Sequence, residues 1–433
     1  MKSGKSLLIT LLVLVAMLAP AASAYGKADT IELHVTWWGS QTRHDKTIAV
    51  IDLFEAAHPD IKVIYEFANF TDYWTLLSTK AASDSLPDVM QHDYAYLSEW
   101  AARGQLTPLD DLMASGAINV SDVAQSVIDS GKIDGKTYGL SLGSNSQAFI
   151  LDVDAFERAG LDLPSPDWTW QEFEDTVMKI HDALGIWGFG TLLDDEAIWK
   201  SIQIGYGRWA FNEDGTALGY EDDQPMIDHL NMILRLQKAG AIPTEAEAVE
   251  LDTAGPEGSP LVTGKSAIQY QWSNQVVAVA NAAGPDRHFK LWHLPRPEGG
   301  QSSNYLKPSM FFSIPASAKH PQEAAMFIDF FTNSLEANDI LAAERGVPVS
   351  AAVREHLLPD LSPIMQETFD FLVRVEADSS PVPPPDPPGY ADLRLNVYGP
   401  QFVEPVQYGE MTPEEGVQFF REEANRILSQ NKQ

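Results

Sequence analysis

Eleven tryptophans stand in this chain. Several fall in predicted loops: Trp37, Trp38, Trp168, Trp170 and Trp272. Beside them lie side chains that both donate and accept hydrogen bonds, namely Gln41, Asn145, Gln147, Ser273, Asn274 and Gln275. A sugar needs this mixture, because its C–H faces pack on aromatic rings and its hydroxyls pair with amides and carboxylates. Trp272, which follows a predicted strand and precedes Ser273-Asn274-Gln275, is the leading candidate for such an aromatic wall. Trp170, at the start of an amphipathic helix, reads as more core-like than Trp168.

Catalytic chemistry has less support. The chain has no G-x-S-x-G elbow, P-loop or H-E-x-x-H helix, and no cysteine. His288 and His293 read as surface or packing residues and not as a metal pair. Asp194-Asp195-Glu196 lacks calcium-loop spacing and reads as a solvated helix start or loop. No metal and no cofactor is expected. A glycosidase pair stays open, but 61 acidic residues make any chosen pair weak evidence.

The elements that must position these residues alternate. Ile31, Leu33 and Val35 alternate with polar residues, which predicts a strand, with Trp37 to Gln41 as the loop after it. Ile48, Ile51 and Phe54 then mark a helix that ends near Pro59. A strand over 61–67, a helix over 73–82 and a short strand at 88–91 complete a βαβ pattern and a mostly parallel sheet. Ligands in such sheets sit beyond the carboxyl ends of the strands, here Trp37–Gln41, Phe67–Asn69 and His92-Asp93-Tyr94. Further on, Thr169 reads as the N-cap of a helix over 170–183, and Gly264–Tyr270 as a turn into a strand. A helix is expected from His320-Pro321 to about Thr332. Residues 381–388 hold six prolines in eight positions and read as an extended surface loop.

Lys2 and Lys5, the apolar run Leu7–Leu18 and Ala22-Ser23-Ala24 have the form of a cleaved signal peptide over residues 1–24. The run is too short for a bilayer span, which takes about 20 residues. No cysteine follows it, so a soluble periplasmic protein and not a lipoprotein is expected. The formal charge is −32, and becomes −34 once the two lysines of the leader are gone. That charge argues against nucleic acid and anionic membrane partners. About 409 residues without disulfides suffice for two lobes.

Several motifs together resemble the family-1 extracellular solute-binding proteins of ABC importers, relatives of maltose- and glycerol-3-phosphate-binding proteins. They include LHVTWWGS at 33–40, LFEAAHPDIKV at 53–63, LPDVMQHDYAYLSEWAARGQLTPLDDL at 86–112 and GKTYGLSLGSNSQAFILDVDAFERAGL at 135–161. DWTWQEF at 167–173, GKSAIQYQW at 264–272 and PSMFFSIPASAKHPQEAAMFIDFF at 308–331 follow in the same order. The resemblance implies the two-lobed type II periplasmic-binding-protein fold, each lobe an α/β unit with a mostly parallel sheet. The amino-terminal lobe would be 29–141 plus 313–346, and the other 142–312 plus 347–433. Crossings would lie near Gly143-Ser144, Phe311-Phe312 and Gly346-Val347.

The same resemblance implies a binding protein, not an enzyme, that closes by hinge bending on a sugar and delivers it to a membrane permease. A monomer is expected. The implied site takes Ser40, Gln41 and Arg43, with His44 behind them, from the loop after the first strand, where Trp38 is a further aromatic candidate. It takes Asp93 after the third strand, Asn145, Ser146 or Gln147 from the first crossing, and Trp272 with Asn274 as the wall. Ser309 and Arg345 complete it, Arg345 contacting either an acidic group or two hydroxyls, or else forming an inter-lobe salt bridge. Two rivals stay open. One is a binder of a charged sugar derivative such as a uronate, a sulfonated sugar or a glycerophosphodiester, suggested by Arg43, His44, Lys307 and Arg345. The other is a secreted glycoside hydrolase.

Overall fold

A computed structural model describes residues 30–432 apart from residues 40, 192 and 253–257. The signal-peptide reading of residues 1–24 and the candidate Ser40 lie outside the described residues. In chain order the strands used below are β1 (Ile31–Trp38), β2 (Ile61–Ala68), β3 (Val89–His92), β4 (Leu140–Ser141), β5 (Ser144–Asn145) and β6 (Gln147–Asp152). They continue as β7 (Trp187–Phe189), β8 (Ser266–Trp272), β9 (Phe289–Trp292), β10 (Lys307–Pro308) and β11 (Phe311–Ser313). One sheet has the order β2-β1-β3-β11-β4 and the other β9-β6-β8-β7, with β5 and β10 as a two-stranded ribbon apart from both.

In each sheet all strands but one point the same way. The exceptions are β11 and β6, and the reason is geometric. Both enter their sheet from the ribbon, at the edge where the parallel strands end, so each has to run against its neighbours. The ribbon pairs Lys307 with Asn145 and Pro308 with Ser144. A third passage joins it, since Ser144 N–H donates to the Val347 carbonyl at 2.9 Å. The middle crossing is therefore Lys307–Pro308, and Phe311-Phe312 lie inside the first sheet, where Phe311 pairs with His92 and Ser141. The passages approach so closely that a Cβ on Gly143 would meet the Arg345 carbonyl oxygen at 2.5 Å, and Gly346 has φ +102°. Neither position accepts another residue without strain.

Local signals account for the elements. Leu33, Val35 and Trp37 alternate on one buried face of β1. The strand runs on to Trp38, paired with Ala68, so both tryptophans belong to a strand and not to the loop expected there. Helix α1 (Gln41–Ala57) follows, then α2 (Phe70–Ala82) and α3 (Tyr94–Ala102). Helix α4 (Trp170–Leu184) has a reciprocal capping box between Thr169 and Glu172 and ends at Gly185 with φ +67°. Helix α5 (Glu196–Gly205) starts at the cap Asp195. Helix α6 (Pro321–Asn333) buries Ala324, Phe327, Ile328 and Phe331 at helical spacing against Phe54 and Phe312.

Those residues join Leu33, Val35, Trp37 and Phe311 in the core around the first sheet. Phe149, Trp168, Phe173, Phe189 and Trp199 form the core of the second, closed by Phe402 and Phe420. Val123, Val127 and Ile128 pack instead with Ile150, Leu291, Val347 and Phe371.

The acidic run at 194–196 is not solvated. Asp194 and Glu245 are both buried, and the Gln407 amide donates to Asp194 and hydrogen-bonds Glu245. Burial, then mutual repulsion with Glu245, pushes the Asp194 carboxyl well above the ordinary range; burial and Glu404 do the same for Glu245. In the unfolded chain both ionise near about pH 4. From there up to their raised folded values the folded state holds more protons than the unfolded one. Stability therefore falls as pH rises through that window. Thermal unfolding between about pH 4.5 and 8 should show this decline, and Glu245→Gln should flatten it. Parallel profiles for the two proteins would refute a raised Glu245.

Candidate ligand-binding site

Parallel pairing brings the carboxyl ends of β1, β2 and β3 to one edge, where Trp38, Ala68 and His92 stand. Strand β11 begins at that same edge, because Phe311 pairs with His92, so Lys307 to Met310 lie beyond it. On the second sheet Gln147 at the start of β6 faces Trp272 at the end of β8. The ribbon connects these two edges, and the candidate site is built around it.

At the centre is Lys307, whose ammonium sits 4.8 Å from the centroid of the Trp272 ring. Burial pulls the Lys307 pKa down, and Asp93 is the main opposing charge. Asn145, its partner across the ribbon, has a buried Oδ1 with no hydrogen-bond partner, and so has Ser309 Oγ. Such atoms are costly unless something pairs with them. Below the ribbon, Gln147 Oε1 accepts from Ser201 Oγ at 3.0 Å and from Tyr270 OH at 3.2 Å, which fixes its orientation. The proline-rich segment crosses the site. Tyr94 OH, from the first sheet's edge, donates to the Pro383 carbonyl. Asp386 accepts from Lys200 at 3.1 Å, and Lys200 also reaches the Tyr390 hydroxyl at 2.8 Å. Burial raises the pKa of Tyr94 and of Tyr305, so both remain neutral donors.

Of the residues expected from sequence, the structure gathers Asp93, Asn145, Trp272 and Ser309 around Lys307. Asp93 also caps α3, accepting from Ala95 N–H at 2.9 Å. Asn274 is exposed one turn beyond Trp272. Other candidates are engaged elsewhere. Trp38 is walled in by Phe70, Tyr73 and Trp74, leaving no face for a sugar. Gln41 lies exposed on α1 and donates to Asp45 at 2.7 Å. Arg43 pairs with Glu344 at 2.9 Å, and His44 stacks on Phe67 while accepting from the Trp37 indole. Ser146 is buried and accepts from Asn304 Nδ2 at 3.1 Å.

The order expected for Trp168 and Trp170 is reversed. Trp168 is core, its indole N–H donating to the His293 carbonyl, whereas Trp170 is only half-buried. Lys200, Tyr270, Tyr305 and Asp386 were not candidates. Their one legible signal was a lone acid within the proline run.

Arg345 is the clearest correction. Its guanidinium is buried and donates to Gln91 Oε1 at 3.1 Å, Thr47 Oγ1 at 2.9 Å and Glu344 at 3.4 Å, lying 5.0 Å from the Phe331 ring. Burial and Arg43 work against its charge and Glu344 for it. Among the described residues no group of three His, Asp or Glu side chains is arranged to hold a metal ion.

Two sheets joined by three passages, with amides, an aromatic wall and a lysine at the junction, make a place to hold a solute. The family model for bacterial extracellular solute-binding proteins matches residues 49–366. The chain belongs to this family. It is the solute-binding component of an ABC importer, extracellular or periplasmic, and not an enzyme.

A solved family-1 extracellular solute-binding protein from Alicyclobacillus acidocaldarius is 33% identical at TM-score 0.84, covering 92% of this chain and 99% of the other. A periplasmic oligogalacturonide-binding protein from Yersinia enterocolitica shares the fold at TM-score 0.77 and 22% identity, over 93% of this chain and 100% of that one. Among curated relatives, an uncharacterized lipoprotein from the oleD 5′ region of Streptomyces antibioticus is 23% identical over 334 residues, 75% of this chain and 71% of the relative.

In this solute-binding protein Arg345→Ala should cost about 3 kcal/mol of stability, the penalty for removing one partner of a buried charged network. Solute affinity should change by less than about threefold, since the guanidinium is buried and already donates to Gln91, Thr47 and Glu344. Urea unfolding and titration calorimetry check both. Unchanged stability with lost binding would return Arg345 to the site.

Proposed function

We propose that this solute-binding protein takes a sugar or oligosaccharide between its two lobes, closes on it by bending at the three passages, and delivers it to the permease of its importer. The single observation that carries the sugar reading is the half-buried Trp272 ring at the junction of the two sheets. Around it are the unsatisfied Asn145 Oδ1 and the oriented Gln147 amide. The ring offers a face to sugar C–H groups and the amides pair with hydroxyls. The fold shared with an oligogalacturonide binder supports the same ligand class. The lobes of this reading are 29–141 plus 309–346 and 142–306 plus 347–433, the middle boundary moved from 312 to the crossing at Lys307–Pro308. Residues 1–24 serve as a cleaved export signal, and the mature protein is a free periplasmic monomer. Unlike the lipoprotein relative from Streptomyces, the chain offers no cysteine for a lipid.

A saccharide present at about 100 times its dissociation constant should stabilise the protein by about 2.7 kcal/mol, a rise of a few degrees in Tm. Trp272→Ala should weaken binding about thirtyfold, in line with loss of an aromatic hot spot of about 2 kcal/mol. Its own stability should shift by less than about 1 kcal/mol, because the ring is half-exposed. Thermal shift and calorimetry on refolded protein, with product analysis, test this. A ligand returned cleaved, or no saccharide hit at all, would overturn the reading.

A further inference from the structure

Lys307 is placed unlike the other cations near the site. Lys200 has Asp386, Arg43 has Glu344, and Arg345 has Gln91, Thr47 and Glu344. The Lys307 ammonium makes no hydrogen bond or ion pair among the described residues. Trp272 lies beneath it, and Asp93, Asp386 and Lys200 lie only within electrostatic reach. A mostly buried lysine ordinarily holds a carboxylate at hydrogen-bond distance, since burial of an unpaired charge is costly. An aromatic face relieves part of that cost but supplies no acceptor. Next to Lys307 across the ribbon stands Asn145, whose Oδ1 also lacks a partner. An indole ring with an unpaired ammonium over it, and an unpaired amide oxygen across the ribbon from that lysine, together describe a hexuronate. Its pyranose packs on the indole, its carboxylate is carried at the ring edge, and its hydroxyls donate to the amide.

The strap adds a second element. Residues Pro381–Pro388 are stiffened by proline and bring one carboxylate, Asp386, to Lys200, while Pro383 is tied to Tyr94 on the opposite edge. Asp386 is the only acid in that run. It is ion-paired with Lys200 and acts more weakly on Lys307, so an incoming carboxylate competes with it for the same positive field.

Resting on the saccharide reading above, we propose that the solute is an acidic saccharide of the hexuronate class. Lys307 receives its carboxylate above Trp272, and Asp386 of the proline strap is the built-in competitor for the two lysines. The long-range charge of the protein opposes anions, but it is screened beyond about 8 Å at physiological salt, and the local pair decides.

The test uses the mature protein with digalacturonate, neutral galactobiose and galactose 6-phosphate as probes, by calorimetry. Digalacturonate should bind at least about tenfold more tightly than galactobiose, with the preference shrinking as salt rises. Lys307→Met should erase that preference, bringing the two disaccharides to within about twofold of each other. Asp386→Asn should raise the ratio of digalacturonate to galactobiose affinity several-fold. The ratio of the two ligands in this second variant still decides the matter if Lys307→Met does not fold.

Equal or better binding of the neutral disaccharide, or a preference that survives in Lys307→Met, would overturn the acidic assignment and leave the saccharide importer intact. A preference for the sugar phosphate would overturn the carboxylate. Failure of every saccharide would remove both readings.

Discussion

Three passages of the chain run side by side between the two sheets, and their close approach governs much else in the molecule. Gly143 lies against the Arg345 carbonyl with no room for a Cβ, and Ser144 and Val347 exchange backbone hydrogen bonds. From this junction β6 enters one sheet and β11 the other, each against the direction of its neighbours. The parallel strands consequently end facing the junction. Most groups assigned to the site come from those ends, from the ribbon itself or from the strap that crosses it, while Lys200 is supplied by helix α5. Loops on a rigid frame are where ligand contacts ordinarily sit, and here the frame is defined by strand direction.

Buried charge is handled in three ways. Arg345 is surrounded by acceptors and one carboxylate, and so acts as a fastener within the first sheet's core, linking 345 to Gln91 and Thr47. Asp194 and Glu245 meet without a cation and depend on the Gln407 amide and on retained protons. Lys307 is left with a ring and two distant acids. Only the last arrangement leaves unmet hydrogen-bonding capacity at an accessible junction. A charge satisfied by its own protein contributes to fold, whereas one left unsatisfied is available for a ligand.

The aromatic residues divide along the same line. Trp37, Trp168 and Trp199 are fully buried, and the Trp37, Trp168 and Trp199 indoles each donate to an internal acceptor, at His44, the His293 carbonyl and Tyr220. Trp272 is only half-buried and ends a strand whose pairing partner, Gln147, turns there into the crossing, with the Lys307 ammonium over its ring. A tryptophan with its N–H bonded internally and every face packed cannot serve a sugar, however suggestive its neighbours in sequence.

Periodicity and capping chemistry by themselves determined the βαβ start, the α4 cap at Thr169, the α6 face and the strand before Trp272, and ordered motifs carried the family resemblance. These depend on neighbours within a few residues, or on motifs kept in order along the chain. Tertiary structure alone decided which polar groups were already spoken for. Arg345 and Gln91 are 254 positions apart, Arg43 and Glu344 are 301 apart, and Tyr94 and Pro383 are 289 apart. No local pattern encodes such contacts. The strand over Trp37 and Trp38 was missed because two adjacent tryptophans break the alternation, and only pairing with Phe67 and Ala68 extends it. Residue type and spacing thus suggested a chemistry for the site, while long-range pairing engages Arg345 and Trp38 within the protein and leaves Lys307 and Trp272 as the groups proposed to carry it.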